Sequence, residues 1–213
     1  MLFTNPVAPR KILCLGAHSD DIEIGCGGTL RRLIAERPGI EIWWQVFSAT
    51  GERKREAEAS AADFLAGVKE RHIVTGEFRE SYFPQDWALI KDEFEHLKQE
   101  FEPDLILTHW RDDRHQDHRV LSDLAWNTFR NHTILEYEIP KYDGDLGQPN
   151  YYVTLDESTC RGKVTAILQH FRSQASRAWF TEDTFFALMR LRGIECGARA
   201  RFAEAFHARK LVV

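Results

Sequence analysis

The segment Lys11–Asp21 reads KILCLGAHSDD, a short apolar run that ends abruptly in polar side chains. A run of this length is typical of a buried strand. The next segment, Gly25–Glu36, has helical spacing and is closed by Pro38-Gly39. Its first four residues, GCGG, lack the G-x-G-x-x-G spacing directly after a strand and predict a tight turn and close helix packing. The stretch therefore predicts a β-α unit with a polar loop after its strand.

The alternation of short apolar runs and amphipathic segments continues along the chain and indicates repeated β-α units. Further strands are predicted at Ile40–Ala49, Arg71–Val74, Asp104–His109, Ile134–Ile139 and Tyr151–Leu155, and further helices at Glu52–Ala66, Asp86–Phe101, Asp117–Arg130, Glu157–Phe171 and Glu182–Leu191. The pattern predicts an α/β fold, a Rossmann-like three-layer α/β/α sandwich with a mostly parallel sheet. Because the chain has 213 residues and no linker or repeat, we expect a single domain spanning residues 1–213.

Charge and cysteine content restrict the class of protein. With 28 Lys and Arg against 33 Asp and Glu, the net charge of -5 gives no electrostatic reason to expect nucleic acid or an anionic membrane as a partner. The four cysteines have no C-x-x-C spacing and are expected to be free thiols, which favours a cytoplasmic protein. No stretch approaches the roughly 18 apolar residues that span a bilayer, so no membrane anchor is expected.

Two polar segments follow predicted strands. Ala17–Asp21 (AHSDD) follows the first strand, and His115–His118 (HQDH) follows the strand Asp104–His109. Histidine nitrogen and carboxylate oxygen are zinc ligands, and a catalytic zinc typically has three protein ligands and one position for water. In open α/β sheets ligands bind at the carboxyl ends of strands where the strand order reverses. If the first and fourth strands are neighbours, the two segments meet and form a metal centre.

Each of these residues also has a structural alternative. Asp117 stands at the head of a predicted helix and could be its N-cap. Asp20 and Asp21 could begin a helical turn, and a histidine before a turn is more often exposed than a ligand. The metal interpretation rests on the occurrence of two such clusters after two strands.

The two segments resemble the signatures of the PIG-L or LmbE-like deacetylases, zinc-dependent enzymes that remove acetyl groups from N-acetylated sugar derivatives. The family sequence A-H-[PS]-D-D corresponds to Ala17–Asp21, and H-x-D-H corresponds to His115–His118. A weaker likeness covers most of the chain, including Glu56–Leu65. The resemblance implies hydrolysis of an N-acetylated amino sugar or its conjugate, of the N-acetylglucosamine type, to acetate and a free amine.

The resemblance also implies a role for each polar side chain of the two segments. The implied zinc ligands are His18, Asp21 and His118, the implied general base is Asp20, and His115 is implied to stabilise the oxyanion with Asp117 holding it. A zinc bound in this way can lower the pKa of its water to about 7. We expect Asp117 to raise the pKa of His115 by charge pairing. A His/His/Asp set also accepts other divalent ions such as Fe²⁺.

Residues that contact the substrate are harder to select. Arg53 or Arg55 after the second strand, Trp110, and Tyr142 in the polar loop Lys141–Asn150 are candidates. The alternatives are an exposed helix charge for either arginine and simple packing for the tryptophan. The expected partner is a small-molecule N-acetylated sugar conjugate, and the resemblance suggests a homo-oligomer, a trimer or hexamer. A zinc amidohydrolase for another acyl amine and a catalytically silent metal- or sugar-binding protein are the alternatives.

Overall fold

A seven-stranded sheet covered by helices on both faces makes up the computed structural model, which describes residues 9–211. The strands are β1 (Lys11–His18), β2 (Glu41–Ser48), β3 (Glu70–Thr75), β4 (Leu105–His109), β5 (Thr133–Tyr137), β6 (Tyr151–Leu155) and β7 (Phe202–Ala208). The helices are α1 (Asp21–Glu36), α2 (Gly51–Phe64), α3 (Trp87–Glu100), α4 (Gln116–Thr128), α5 (Glu157–His170) and α6 (Glu182–Glu195). Within the described residues, no helix is both long and apolar enough to cross a membrane.

The strand order is β3-β2-β1-β4-β5-β7-β6, with β1 to β5 parallel and β7 antiparallel to both of its neighbours. The prediction that the first and fourth strands are neighbours is confirmed. The order reverses between them, so the loops that follow β1 and β4 open into the same crevice. The C-terminal segment, to which the sequence pattern assigned no element, forms β7.

The central strand β1 supplies side chains to two separate cores, one on each face of the sheet. Ile12 and Cys14 belong to the core that also contains residues of α1, α2, α5 and α6. Leu13 and Leu15 belong to the core built with α3 and α4. Because both faces of β1 are buried, its sequence is a continuous apolar run instead of an alternating one. The predicted three-layer sandwich is confirmed.

Helix α1 begins earlier than the sequence pattern indicates. It starts at Asp21 instead of Gly25, so the last residue of the AHSDD segment is its first residue. The predicted tight turn at Gly25 is therefore wrong, whereas the predicted close packing is present. A Cβ at Gly25 would lie 2.1 Å from the ring of the buried Tyr137. A larger residue would push α1 away from β5.

A buried ion pair fixes the middle of α1 against β7. Glu204 accepts hydrogen bonds from the backbone nitrogens of Gly28 and Thr29, at 2.8 and 2.6 Å. The Lys163 ammonium of α5 donates to Glu204 and to the carbonyl oxygen of Ile24, at 2.6 and 2.7 Å. Both charged side chains are only 3% exposed. Burying these charges is tolerable because each has several hydrogen-bond partners.

We expect Glu204→Gln to lower the free energy of unfolding by about 3–5 kcal/mol, because the Lys163 ammonium would stay buried without its counter-charge. Urea unfolding followed by circular dichroism measures this change. The control is Glu157→Gln, which breaks a pair with Arg161 whose side chains are 55% and 62% exposed. That change should cost less than about 1 kcal/mol. Equal losses in the two variants would show that burial of the Glu204 pair is not what matters.

Candidate metal centre and active site

The two polar segments meet at the carboxyl ends of β1 and β4. His18 is the last residue of β1, Asp21 begins α1, and His118 lies in the first turn of α4. His18 Nδ1 lies 3.3 Å from Asp21 Oδ2 and 3.2 Å from His118 Nε2, and the latter two atoms are 3.6 Å apart. All three residues are buried. Three ligating atoms therefore form a small, closed triangle.

The size of this triangle suits a metal ion. Ligands bound tetrahedrally at about 2.0–2.1 Å lie about 3.3 Å from one another, as tetrahedral geometry requires. The separations among His18, Asp21 and His118 are close to this value. The donor set of two imidazoles and one carboxylate is one that zinc and other first-row divalent ions accept. The residues present thus fit a metal ion.

Two further histidines lie at the edges of the triangle. The ligating atoms of His18, His115 and His118 lie within 4.8 Å of one another, and so do those of Asp21, His109 and His118. The His109 ring stacks on His118 at 3.8 Å, and its Nε2 lies 3.2 Å from Asp21 Oδ2. His109 was not among the predicted site residues because a histidine that ends a buried strand looks like a core residue. Its position at the carboxyl end of β4 is the feature of the sequence that could have indicated a place in the site.

Both imidazoles of the triangle bind a carboxylate through the ring nitrogen on their far side. His18 Nε2 lies 3.1 Å from Asp117 Oδ2, and His118 Nδ1 lies 2.9 Å from Asp113 Oδ2. Such a contact places a hydrogen on the outer nitrogen and leaves the lone pair on the inner one, which metal binding needs. The two histidines are therefore held with their lone pairs directed to the same point.

The prediction that the Asp117 carboxylate pairs with His115 is wrong. It binds His18 and accepts hydrogen bonds from the backbone nitrogens of Ser81 and Phe83, at 2.6 and 3.2 Å. His115, not Asp117, is the N-cap of α4, and its Nδ1 accepts from the backbone nitrogen of Asp117. Burial and the neighbouring His18 lower the pKa of His115, outweighing Asp117. A neutral His115 with this contact carries its hydrogen on Nε2.

The buried charges shift one another's pKa strongly. Burial alone would lower the pKa of His18, but Asp21 and Asp117 raise it to about 10. Burial and the adjacent His109 lower the pKa of His118 to about 3. Burial favours a neutral Asp21, yet the surrounding imidazoles hold its pKa well below the usual value. The ionised Asp21 and the neutral His118 are ready to bind a cation, whereas His18 must lose its second proton when an ion binds.

Asp20 lies between His18 and Asp21 in sequence, but its side chain binds a residue outside the ligand triangle. It occupies the N-cap position of α1 but makes no capping hydrogen bond with its side chain. Instead, Asp20 Oδ1 accepts from Arg53 Nη2 at 3.0 Å, and Arg53 Nε donates to Ser19 Oγ at 3.2 Å. Burial raises the pKa of Asp20 despite the nearby guanidinium. The side chain is therefore not engaged in capping the helix.

A cavity of about 300 Å³ opens beside Arg53. Its polar lining also includes Ser48, Glu77, Arg79 and Glu80. Ser48 pairs with His18 across the β1–β2 ladder, so the cavity borders the ligand triangle. Its volume lies at the lower end of small-molecule sites, which range from about 300 to 1,000 Å³. The polar residues after β3, Glu77, Arg79 and Glu80, were not predicted to line the site, although they follow the end of a strand as the two motifs do.

The other predicted substrate contacts lie outside this cavity. Arg55 is exposed on α2, which agrees with the alternative interpretation that it is a solvated charge on the helix surface. Trp110 stacks on His207 with ring centroids 4.4 Å apart, which is a packing contact. Tyr142 is 70% exposed on the polar loop. Of the four candidates, Arg53 is the residue that the fold brings to the site.

Comparison with known proteins identifies relatives of this chain. The family model described as "PIG-L: GlcNAc-PI de-N-acetylase" matches residues 13–129. The uncharacterized deacetylase YaiS of Escherichia coli (strain K12) is 28% identical over an alignment of 173 residues, and the match covers 76% of this chain and 90% of that protein.

Solved structures share the fold. The N,N'-diacetylchitobiose deacetylase from Pyrococcus horikoshii, complexed with its inhibitor MPG, is similar with a TM-score of 0.74 and 25% identity, covering 98% of this chain and 87% of that one. The conserved protein TT1542 from Thermus thermophilus has a TM-score of 0.73 and 22% identity, covering 95% of this chain and 96% of that one.

The family match includes both polar segments, and with them the strands β1 and β4 that bring the ligand triangle together. It also extends over more than half of the chain. The resemblance in the two motifs is thereby confirmed. This chain belongs to the PIG-L family, and it is a deacetylase, a hydrolase that cleaves amide carbon–nitrogen bonds.

Proposed function

We propose that this protein is a zinc-dependent N-deacetylase that acts on an N-acetylated amino sugar or its conjugate, of the N-acetylglucosamine type, and releases acetate and a free amine. The observation that carries the proposal is the triangle of His18, Asp21 and His118 with an additional carboxylate, Asp20, beside it. When bound, the ion would lower the pKa of a coordinated water and polarise the acetyl carbonyl. Metal binding alone does not require the additional carboxylate.

Asp20 is proposed as the general base. One of its oxygens accepts a hydrogen bond from Arg53 at 3.0 Å, which holds the carboxylate beside the ligand triangle. The carboxylate would accept the proton of the attacking water and later deliver it to the nitrogen of the departing amine. The amine leaves only when it is protonated, so the same group serves both halves of the reaction.

His115 is proposed to stabilise the negative charge that develops on the carbonyl oxygen. Its Nδ1 accepts a backbone hydrogen bond, so a neutral ring has its hydrogen on Nε2 and can donate it. A neutral donor suffices for this role, and no charged imidazole is needed. Asp117 is then a positioning residue for His18 and not for His115.

The cavity beside Arg53 supports a sugar as the substrate. Its lining alternates positive and negative side chains, including Arg79 and Glu80, which can donate to and accept from hydroxyl groups. The relative from Pyrococcus horikoshii is named for an acetylated chitobiose. Zinc is proposed as the ion, with Fe²⁺ as an alternative for the same donors. The trimeric or hexameric assembly and the single-domain organisation stay predictions.

We expect metal-stripped protein to release no acetate from N-acetylglucosamine or N,N'-diacetylchitobiose, and to regain activity when Zn²⁺ is added, because a bound zinc would lower the pKa of its water to about 7. Acetate is measured enzymatically, with Fe²⁺ and Co²⁺ added in parallel. N-carbamoylglucosamine and an N-acetylated dipeptide are the comparison substrates. Turnover of these two compounds alone would favour the amidohydrolase alternative. Bound metal without turnover of any substrate would favour a binding protein.

A further inference from the structure

A buried chain of charges connects the loop between β5 and β6 to His118. Lys141 Nζ lies 2.9 Å from Asp113 Oδ2 and 2.5 Å from Asp145 Oδ2. Asp113 Oδ2 in turn lies 2.9 Å from His118 Nδ1. The side chains of Lys141, Asp113 and Asp145 are all at most 10% exposed. Charges so well buried interact strongly and hold one another in place.

Asp113 is surrounded by hydrogen-bond donors. Its Oδ1 accepts from the backbone nitrogen of His115 at 2.7 Å, and its Oδ2 accepts from His118 and from Lys141. A carboxylate can satisfy all three donors. An asparagine cannot, because in either orientation its NH₂ group would face a donor. The site therefore selects an ionised Asp at this position.

The loop is also fastened at a second point. Asp145 Oδ2 accepts from the backbone nitrogen of Arg114, at 2.7 Å, next to Asp113 in the β4–α4 loop. Lys141 and Asp145 thus connect the β5–β6 loop to the β4–α4 loop. Their contacts are with Asp113, which binds His118 Nδ1, and with the neighbouring backbone of Arg114. A displacement of the β5–β6 loop would be transmitted to the imidazole through Asp113.

We propose that Asp113 is a positioning residue for the metal ligand His118, and that Lys141 and Asp145 of the β5–β6 loop hold Asp113 in place. The inference rests on the metal site of the proposed function. Asp113 keeps the His118 hydrogen on Nδ1 and directs Nε2 into the ligand triangle. Lys141 acts through Asp113, because in the described part of the chain its ammonium group binds Asp113, Asp145 and the carbonyl oxygen of Ile139 and none of the three ligands.

Zinc affinity tests this inference without recourse to catalysis. It is measured by competition with a chromophoric chelator for the wild type, Asp113→Asn, Lys141→Met and the double variant. Asp113→Asn should weaken zinc binding by about 10- to 100-fold, the usual effect of losing such a contact. Lys141→Met should weaken it less, and the double variant should match Asp113→Asn, because both act through one carboxylate.

Asp112→Asn is the matched control. Asp112 is the neighbour of Asp113 in the same loop, but its side chain is 65% exposed and its ion pair is with Arg111. Its zinc affinity should stay within about twofold of the wild type. The absorption spectrum of the Co²⁺-loaded protein gives a second measurement, and it should change in Asp113→Asn but not in Asp112→Asn.

The outcomes separate this inference from the proposed function. If the wild type binds neither Zn²⁺ nor Co²⁺, the metal site itself is wrong and the inference falls with it. If the wild type binds zinc and Asp113→Asn binds it equally well with an unchanged Co²⁺ spectrum, only the role of Asp113 is overturned. Should Asp113→Asn fail to fold, unchanged zinc affinity in Lys141→Met would overturn the coupling to the β5–β6 loop.

Discussion

His118→Ala is expected to lower zinc affinity by about 10²- to 10³-fold and turnover by at least as much. Zinc in a four-ligand protein site is bound with about 10–16 kcal/mol, so one ligand accounts for roughly a quarter of that energy. His118 belongs to every group of ligating atoms found in the described residues, including the two that contain His109 and His115. Its loss therefore weakens the centre whichever of these groups holds the ion.

Zinc affinity by chelator competition and acetate release at saturating zinc test this expectation together. His96→Ala is the control, because His96 is exposed on α3 and lies in none of the ligand groups. Its zinc affinity and turnover should match those of the wild type. Undiminished zinc affinity in His118→Ala would mean that the ion is held away from the carboxyl ends of β1 and β4.

The position of the candidate metal centre could be predicted from local sequence, because its residues follow the ends of two strands. A residue that follows a buried parallel strand must emerge at the carboxyl edge of the sheet. The apolar run before His18 and the one before His109 identified two such edges. The usual doubly wound strand order then placed them side by side. No contact distance was needed for this step.

The start of α1 and the partner of Asp117 depend on contacts between distant parts of the chain. Three glycines disfavour a helix over Gly25–Gly28, and packing of the backbone on Tyr137 outweighs that intrinsic preference. Residues two apart on a helix do not face each other, so Asp117 could not readily point at His115. Its actual partner, His18, lies 99 positions away in sequence and could not be identified before the fold was known.

The contacts that connect Lys141 and Asp113 to His118 could not be predicted from local sequence either. Asp113 and Lys141 are ordinary charged residues in polar loops, and nothing in their sequence neighbourhoods indicates that they meet. Their contact requires the β5–β6 loop to fold back over the β4–α4 loop, which is decided by the whole C-terminal half of the sheet. Residue type and spacing thus predicted which candidate ligands come together, whereas long-range packing decides which side chains hold them in place.

Asp20→Asn is expected to lower turnover by about 10²- to 10⁴-fold while leaving zinc bound, because an amide cannot accept the proton of the attacking water. The substitution keeps size and shape, and the remaining amide oxygen can still accept from Arg53 as Asp20 Oδ1 does. The kcat for acetate release is measured on protein whose zinc content equals that of the wild type. Asp92→Asn, at an exposed position of α3, is the matched control and should retain full activity.

The zinc content of Asp20→Asn decides how a loss of turnover is interpreted. Asp20 lies next to the ligand Asp21, but its own carboxylate contacts Arg53, which in turn donates to Ser19. If zinc is retained and turnover collapses, the lost step is proton transfer, and the general-base assignment stands. If zinc is lost as well, Asp20 supports the ligand triangle instead. Turnover within tenfold of the wild type in the zinc-loaded variant would mean that another group is the general base. Asp117 and Asp113 are poor candidates for it, because their carboxylates already bind His18 and His118.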